Sequence, residues 1–264
     1  MTDGATSDTK SRWALGHLDN LWLYIRPIIA LFVLWQVISL FGLIPEQALP
    51  APLSVWDSMV ELVNSGSLLS IVKITIVRVL LAFSIAVFVG FSIGMLMSQS
   101  RIVEWFFDPI ISVAFPIPKV TLVPIYVLWF GFGTVSTVAL AATSALFPVA
   151  ISTYDGTKSV DREIIWSAQS MGLSRLETSL KVIVPAALPD ILNGVQISLF
   201  LSFVVVVVAE MVTSGSGLGR VLVESVRFFD TPQAVAAVII IAFFGLLFDK
   251  LFRLVRARFL WWAE

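Results

Sequence analysis

Between Leu23 and Phe248 the chain holds six apolar stretches of bilayer length, at 23–43, 70–97, 103–130, 135–152, 191–211 and 232–248. A helix crosses ~30 Å of hydrocarbon with about 20 mostly apolar residues, fewer when polar flanks reach back to the headgroups. Lipid offers the backbone no hydrogen bonds, so stretches of this length are satisfied only as helices. The expected architecture is therefore an all-α membrane protein of six transmembrane helices. Apolar residues make up 58% of the chain and charged ones 13%, well below the ~25% charged of a soluble domain. The run Val204–Val208 has strand propensity, but its place inside a spanning stretch favours helix.

Charge placement says more than its sum. The 17 basic and 18 acidic residues nearly cancel, which gives no sign of a nucleic-acid partner. The chain has no cysteine, so disulfides, thiol catalysis and Cys-bound metal are excluded together. His17, the single histidine, lies in the polar segment 1–22 and is expected to be a solvated tail residue rather than a metal ligand. That segment mixes acids with bases, unlike a cleaved secretory leader, and no small-residue cleavage site follows the first apolar run. With an even number of spans both termini share one side. Basic residues choose it: Lys10, Arg12, Arg26, Arg101, Lys158, Arg162, Arg175, Lys181, Lys250, Arg253, Arg256 and Arg258 fall on that side, against Lys73, Arg78, Arg220 and Arg227 on the other. The bias predicts cytoplasmic termini, with 1–22 and the basic segment 249–264 as tails on the membrane domain 23–248. In the outer loop, Ser54 with Asp57 predicts a capped surface helix, and Thr231 with Pro232 predicts the cap and first position of the sixth span.

Between spans four and five, residues 159–190 form a polar island. Val160, Ile164, Ile165, Ala168 and Met171 follow helical spacing as one stripe. Gly172 fits the left-handed residue that ends a helix, and Ser174 with Glu177 fits a capping box for the next. Leu176, Leu180, Ile183 and Val184 share a face of that second helix, which Pro185 is expected to stop. The apolar stripes suit either a helix pair lying on the headgroups or a knob that docks onto another protein.

Ionisable residues inside spans are functional candidates by default. In FPIPKVTLVPIY, residues 115–126, Pro116, Pro118 and Pro124 interrupt the third span and predict a broken helix beside a protein-lined path. Lys119 within it suits a snorkelling or acid-paired cation, or a contact for an anionic solute. Glu210 in span five suits either a solute path or an ion pair with Arg78, Arg220 or Lys119. The glycines of GSGLGR, residues 215–220, lack the phosphate-loop pattern and predict a turn.

The polar island resembles the EAA motif of ABC-transporter permease subunits, which runs Glu-Ala-Ala, three residues, Gly, nine residues, an aliphatic, one residue and Leu-Pro. Ala168 matches the second alanine, Gly172 the glycine, Val182 the aliphatic residue, and Val184 with Pro185 the final pair. Trp166 and Ser167 replace the glutamate and the first alanine. Trp166 therefore anchors the knob at the membrane interface or fills a groove by packing. The stretches LPAPLSVW, PIPKVTLVPIYVLWFGFG, SVDREII, VVAEM and SGLG extend the likeness over some four-fifths of the chain, toward permeases of the nitrate, sulfonate and taurine group.

The resemblance implies a MetI-like importer fold in a bacterial cytoplasmic membrane, with a cytoplasmic coupling helix between spans four and five. Trp166, Ser167, Ala168, Gly172, Ser174, Arg175, Glu177 and Pro185 would couple to the ATPase, and Pro116, Pro118, Lys119 and Glu210 would border the path. Implied partners are an ABC ATPase dimer holding ATP and Mg, an extracytoplasmic solute-binding protein and a second permease copy. No cofactor is expected on this chain. The alternative, a stand-alone secondary transporter or channel, would show interrupted helices in both halves, and only span three is clearly interrupted. A membrane enzyme would need a cluster of His, Cys and acids that the sequence lacks.

Overall fold

Small side chains decide how the spans meet. The computed structural model describes residues 26–27, 29–42, 44–213 and 215–261. In order they form α1 (Ile29–Leu40), α2 (Pro52–Asn64), α3 (Ser67–Gln99), α4 (Arg101–Ala114), a 3₁₀ turn (Lys119–Leu122), α5 (Val123–Phe130), α6 (Thr134–Lys158), α7 (Arg162–Ser170), α8 (Arg175–Thr178), a π turn (Ser179–Ile183), α9 (Val184–Thr213), α10 (Leu218–Arg227) and α11 (Thr231–Phe259). The segment 1–22 with His17 and the start of the first span lie outside the described residues.

Helix α6 lies between α3 and α9, and its buried positions are mostly Ala, Ser, Thr and Gly. A Cβ on Gly90 of α3 would come within 2.6 Å of the Leu146 carbonyl oxygen, and one on Gly94 within 2.7 Å of Thr153 Cβ. On the other side of α6, a Cβ on Gly194 of α9 would meet Pro148 O at 2.6 Å. Backbones this close gain dispersion contacts, which drive helix association where lipid tails are as apolar as the side chains. Gly90 and Gly94 form a G-x-x-x-G pair, a signal visible in the sequence that the span assignment alone passes over. Outward positions such as Phe88, Leu128 and Leu246 are apolar and exposed, as lipid requires.

Among the described residues, four helices are long and apolar enough to span: α3, α6, the continuous helix Arg175–Thr213 and α11. A fifth span is counted when α4 and the segment Lys119–Phe130 are joined across their 93° bend, and α1 is a shorter apolar helix. The structure thus shows four to five of the six expected spans at full length, with different limits. The sixth continues from its apolar part to Phe259, so most of 249–264 is helix rather than a loose tail. The fifth starts well before Ile191. The sixth is capped by Asp230, whose carboxylate accepts from Gln233 N, while Thr231 donates to Gln47 O at 2.7 Å. Aspartate accepts such a bond with a full charge, which a threonine hydroxyl does not supply. At α2 the cap is Ala51 with Pro52 following, and Ser54 donates back to Ala51 O, so Ser54 and Asp57 build no capping box.

Candidate functional site

The polar island folds into an elbow built on backbone geometry. Helix α7 ends in a Schellman motif: Gly172 has φ 91°, its N–H donates to Gln169 O at 3.0 Å, and Leu173 N–H donates to Ala168 O at 3.3 Å. The next residue opens the capping box. Ser174 Oγ accepts from Glu177 N at 3.3 Å, and Glu177 Oε2 accepts from Ser174 N at 3.1 Å. Lys181 Nζ lies 2.9 Å from Glu177 Oε1, and this partner together with Ser174 holds the Glu177 carboxyl down to about 2. The base of the elbow is buried at Ala168, Thr178 and Ser179, and Gln99 Nε2 at the end of α3 donates to Ser179 Oγ at 3.0 Å. Its outer face is exposed and partly apolar: Trp166, Met171, Leu176 and Leu180, with Ser167 and Arg175 beside them.

Pro185 does not stop the second helix. The chain stays helical from Arg175 to Thr213 because the turn Ser179–Ile183 widens to a π turn just before the proline. Proline removes one amide donor and crowds the carbonyl four residues earlier; a local i→i+5 turn relieves both without breaking the helix. Sequence spacing locates the proline but not this widening, which carries the helix through it.

The broken span bends at Pro116 and Pro118, both exposed. Lys119 is half-buried there, and its ammonium meets no acid among the described residues. Nζ donates to Ala114 O at 2.5 Å, Phe115 O at 3.1 Å and Ile117 O at 2.8 Å, and sits 4.9 Å from the centre of the Phe147 ring. The lysine supplies the donors that the last carbonyls of α4 lose when the helix breaks. The three carbonyl oxygens take up the three N–H donors of the ammonium, and the face of the Phe147 ring lies beside it.

Glu210 is fully buried and pairs with Arg78 at 2.8 Å. Thr75 Oγ1 lies 3.0 and 2.9 Å from its two carboxylate oxygens, and Gly219 N–H donates to Oε2 at 3.1 Å. Arg78 also donates to Ser216 O at 2.8 Å and to Thr134 Oγ1 at 3.2 and 3.1 Å. Thr75 Oγ1 accepts from Leu218 N at 3.0 Å. The glycine run is a turn, and a close approach requires its composition: Gly217 has φ 112°, and a Cβ there would overlap the Glu210 carboxyl. A Cβ on Gly219 would come within 2.9 Å of Glu210 Cβ. Among the sequence candidates, then, Glu210 joins Arg78 and stands apart from Lys119. Thr75, Thr134 and Ser216 were not foreseen, since a lone hydroxyl in an apolar helix carries no sequence signal of its partner. Among the described residues no three of His, Cys, Asp and Glu gather as a metal ion would need.

A helical bundle closed by small residues, with one span sharply bent and a folded polar elbow at one end, fits a multi-pass membrane protein of solute transport. The family described as binding-protein-dependent transport system inner membrane component matches residues 83–261. The chain belongs to that family and is the permease of an ABC importer. It is 35% identical over 234 residues to the putative aliphatic sulfonates transport permease protein SsuC of Bacillus subtilis, covering 89% of this chain and 85% of that one. It is 31% identical over 258 residues to the taurine transport system permease protein TauC of Escherichia coli, covering 96% and 93%. Its fold is similar to that of an inward-facing MetNI methionine ABC transporter, with TM-score 0.65 at 17% identity over 74% of this chain and 97% of that one. A second solved structure, an amino acid ABC transporter, gives TM-score 0.62 at 21% identity over 75% and 96%.

Proposed function

We propose that the chain forms the path for a small anionic solute of the sulfonate class, delivered by an extracytoplasmic binding protein and moved at the expense of ATP on a separate ATPase dimer. Nitrate, taurine-like solutes and vitamin or pyrimidine precursors are the neighbouring chemistries. Two copies of the chain face each other across the path. The elbow 159–190 lies in the cytoplasm and seats on the ATPase, and both termini share that side. This chain binds no ATP or Mg itself.

The observation that carries this reading is the elbow: a buried, hydrogen-bonded base under an exposed face of Trp166, Met171, Leu176 and Leu180. Such a face needs a partner, and its rigid base makes it able to transmit force. Trp166 fills a groove on that partner by packing, where an acid would form ion pairs. The sulfonate class is supported by the likeness to a putative aliphatic sulfonates permease and to a taurine permease. Irregular backbone at membrane depth survives only beside protein or water, and the exposed bend at Pro116 and Pro118 therefore borders the path. Glu210 is held by Arg78 and presents no bare carboxylate that would repel anions.

The test is affinity purification of the membrane complex, followed by solute-stimulated ATP hydrolysis in proteoliposomes. An ATPase subunit co-purifies with the wild-type chain. Gly172→Val places a β-branched residue at φ 91°, which costs about 1–3 kcal/mol, and coupling falls while the chain still inserts. Unchanged coupling in that variant, or uptake that survives ATP depletion and collapses with an ion gradient, refutes the docking role.

A further inference from the structure

A cleft of about 890 Å³ runs between α9 and α11. Its walls are apolar, with Phe200 and Val204 of α9 facing Ala242 and Leu246 of α11. Gly245 leaves the floor open; a Cβ there would already touch the Phe203 ring at 3.4 Å. One end is polar. Gln196 Nε2 donates to Asp249 Oδ1 at 3.0 Å, Arg256 Nη1 donates to Gln196 Oε1 at 3.3 Å, and Arg253 Nε pairs with Asp249 Oδ2 at 2.8 Å. At this end α11 passes from its apolar run to Lys250, Arg253, Arg256 and Arg258, faced on that stretch by the single acid Asp249. The Arg253 side chain is 71% exposed, which leaves guanidinium donors free beyond its pair.

We propose that the α9–α11 cleft binds an anionic phospholipid, with an acyl chain along Phe200 and Val204 and the phosphate at Arg253 and Arg256. Basic pockets between membrane helices bind anionic headgroups, and a guanidinium matches phosphate with parallel N–H donors. The alternatives fit less of the site. A zwitterionic headgroup leaves the excess positive charge unmet. A small solute anion leaves the long apolar wall without a partner. A second copy laying its own α11 into the cleft brings Arg253 and Arg256 against their equivalents, a like-charge contact. The inference is independent of which solute the permease carries.

Native mass spectrometry of the purified transporter, released from micelles containing equal phosphatidylglycerol and phosphatidylcholine, tests it. The wild type retains phosphatidylglycerol over phosphatidylcholine by roughly tenfold or more, as two basic residues near a headgroup imply. Arg253→Gln with Arg256→Gln brings the two lipids to near parity, and Ala242→Trp, which fills the cleft, lowers retention of both. The arginines lie on the open end of α11, and unchanged thermal stability in lipid-free detergent verifies that the double variant is folded. Equal retention of the two lipids by the wild type overturns the proposal, as does undiminished preference in the double variant. The chain has no cysteine of its own, so Leu246→Cys reports on a second copy directly. High-yield disulfide cross-linking between copies at that position also overturns the proposal and makes the cleft an interface between them.

Discussion

Replacing Arg78 by methionine keeps an apolar stem of similar length in α3 and removes the guanidinium from Glu210. The carboxylate, fully buried, then retains Thr75 and the Gly219 amide among its described donors, while Ser216 O and Thr134 Oγ1 lose theirs. Breaking a buried pair from one side costs about 3–5 kcal/mol, because the remaining charge stays out of water without its partner. At about 2–4 °C per kcal/mol for a chain approaching this size, Arg78→Met lowers the unfolding midpoint by roughly 6–20 °C. Glu210→Gln alone strands the Arg78 charge and falls in the lower part of that range. The combined variant removes both charges, and its midpoint loss is smaller than the sum of the singles by about 1–3 kcal/mol of coupling. The assay is fluorescence-detected thermal unfolding in one detergent at one scan rate, since membrane proteins often unfold irreversibly. Single variants that each cost under about 1 kcal/mol and add without coupling would refute the argument that this pair ties α3 to α9.

Lys119→Met removes the ammonium from three carbonyl oxygens and is expected to cost about 2–3 kcal/mol, the range for bonds to a charged group; the same unfolding assay measures it. Gly94→Leu drives a side chain into Thr153 and the Ala150 carbonyl, and a cost of about 3 kcal/mol or more from overpacking appears as reduced yield of monodisperse protein. Ser174→Ala deletes the acceptor for Glu177 N and costs about 1 kcal/mol, read as faster amide hydrogen exchange confined to the start of the helix at Arg175.

The periodic and punctuating features of the chain were legible before the structure. Gly172, Ser174 and Glu177 act through backbone neighbours three residues away, so the Schellman turn and the capping box follow from spacing alone. The prolines announce the break in span three by the same local logic. What eluded the sequence depends on distance along the chain. Arg78 and Glu210 are 132 positions apart, and spacing along the chain does not choose among Arg78, Arg220 and Lys119 as the partner of Glu210. Helix limits failed where a local rule met a tertiary remedy: Pro185 is a helix stop in isolation, and a π turn packed against α3 absorbs it.

These local and distant features meet on one rod. From Arg175 to Thr213 the helix runs 39 residues, about 58 Å at 1.5 Å per residue, and the π turn joins its elbow end to its spanning part. Its first turn carries the capping box of the elbow, and its last turns carry Glu210. Both ends are tied to α3, by Gln99 to Ser179 at one end and by Arg78 to Glu210 at the other. On the docking proposed for the elbow, these two ties place α3 and α9 to carry a displacement of the elbow to the far end. On that proposal, cutting the tie at one end separates binding of the ATPase from transmission of its stroke. With the elbow intact, Arg78→Met leaves co-purification of the ATPase unchanged and lowers solute-stimulated hydrolysis in proteoliposomes. Loss of co-purification in that variant would show instead that the far ion pair shapes the elbow itself.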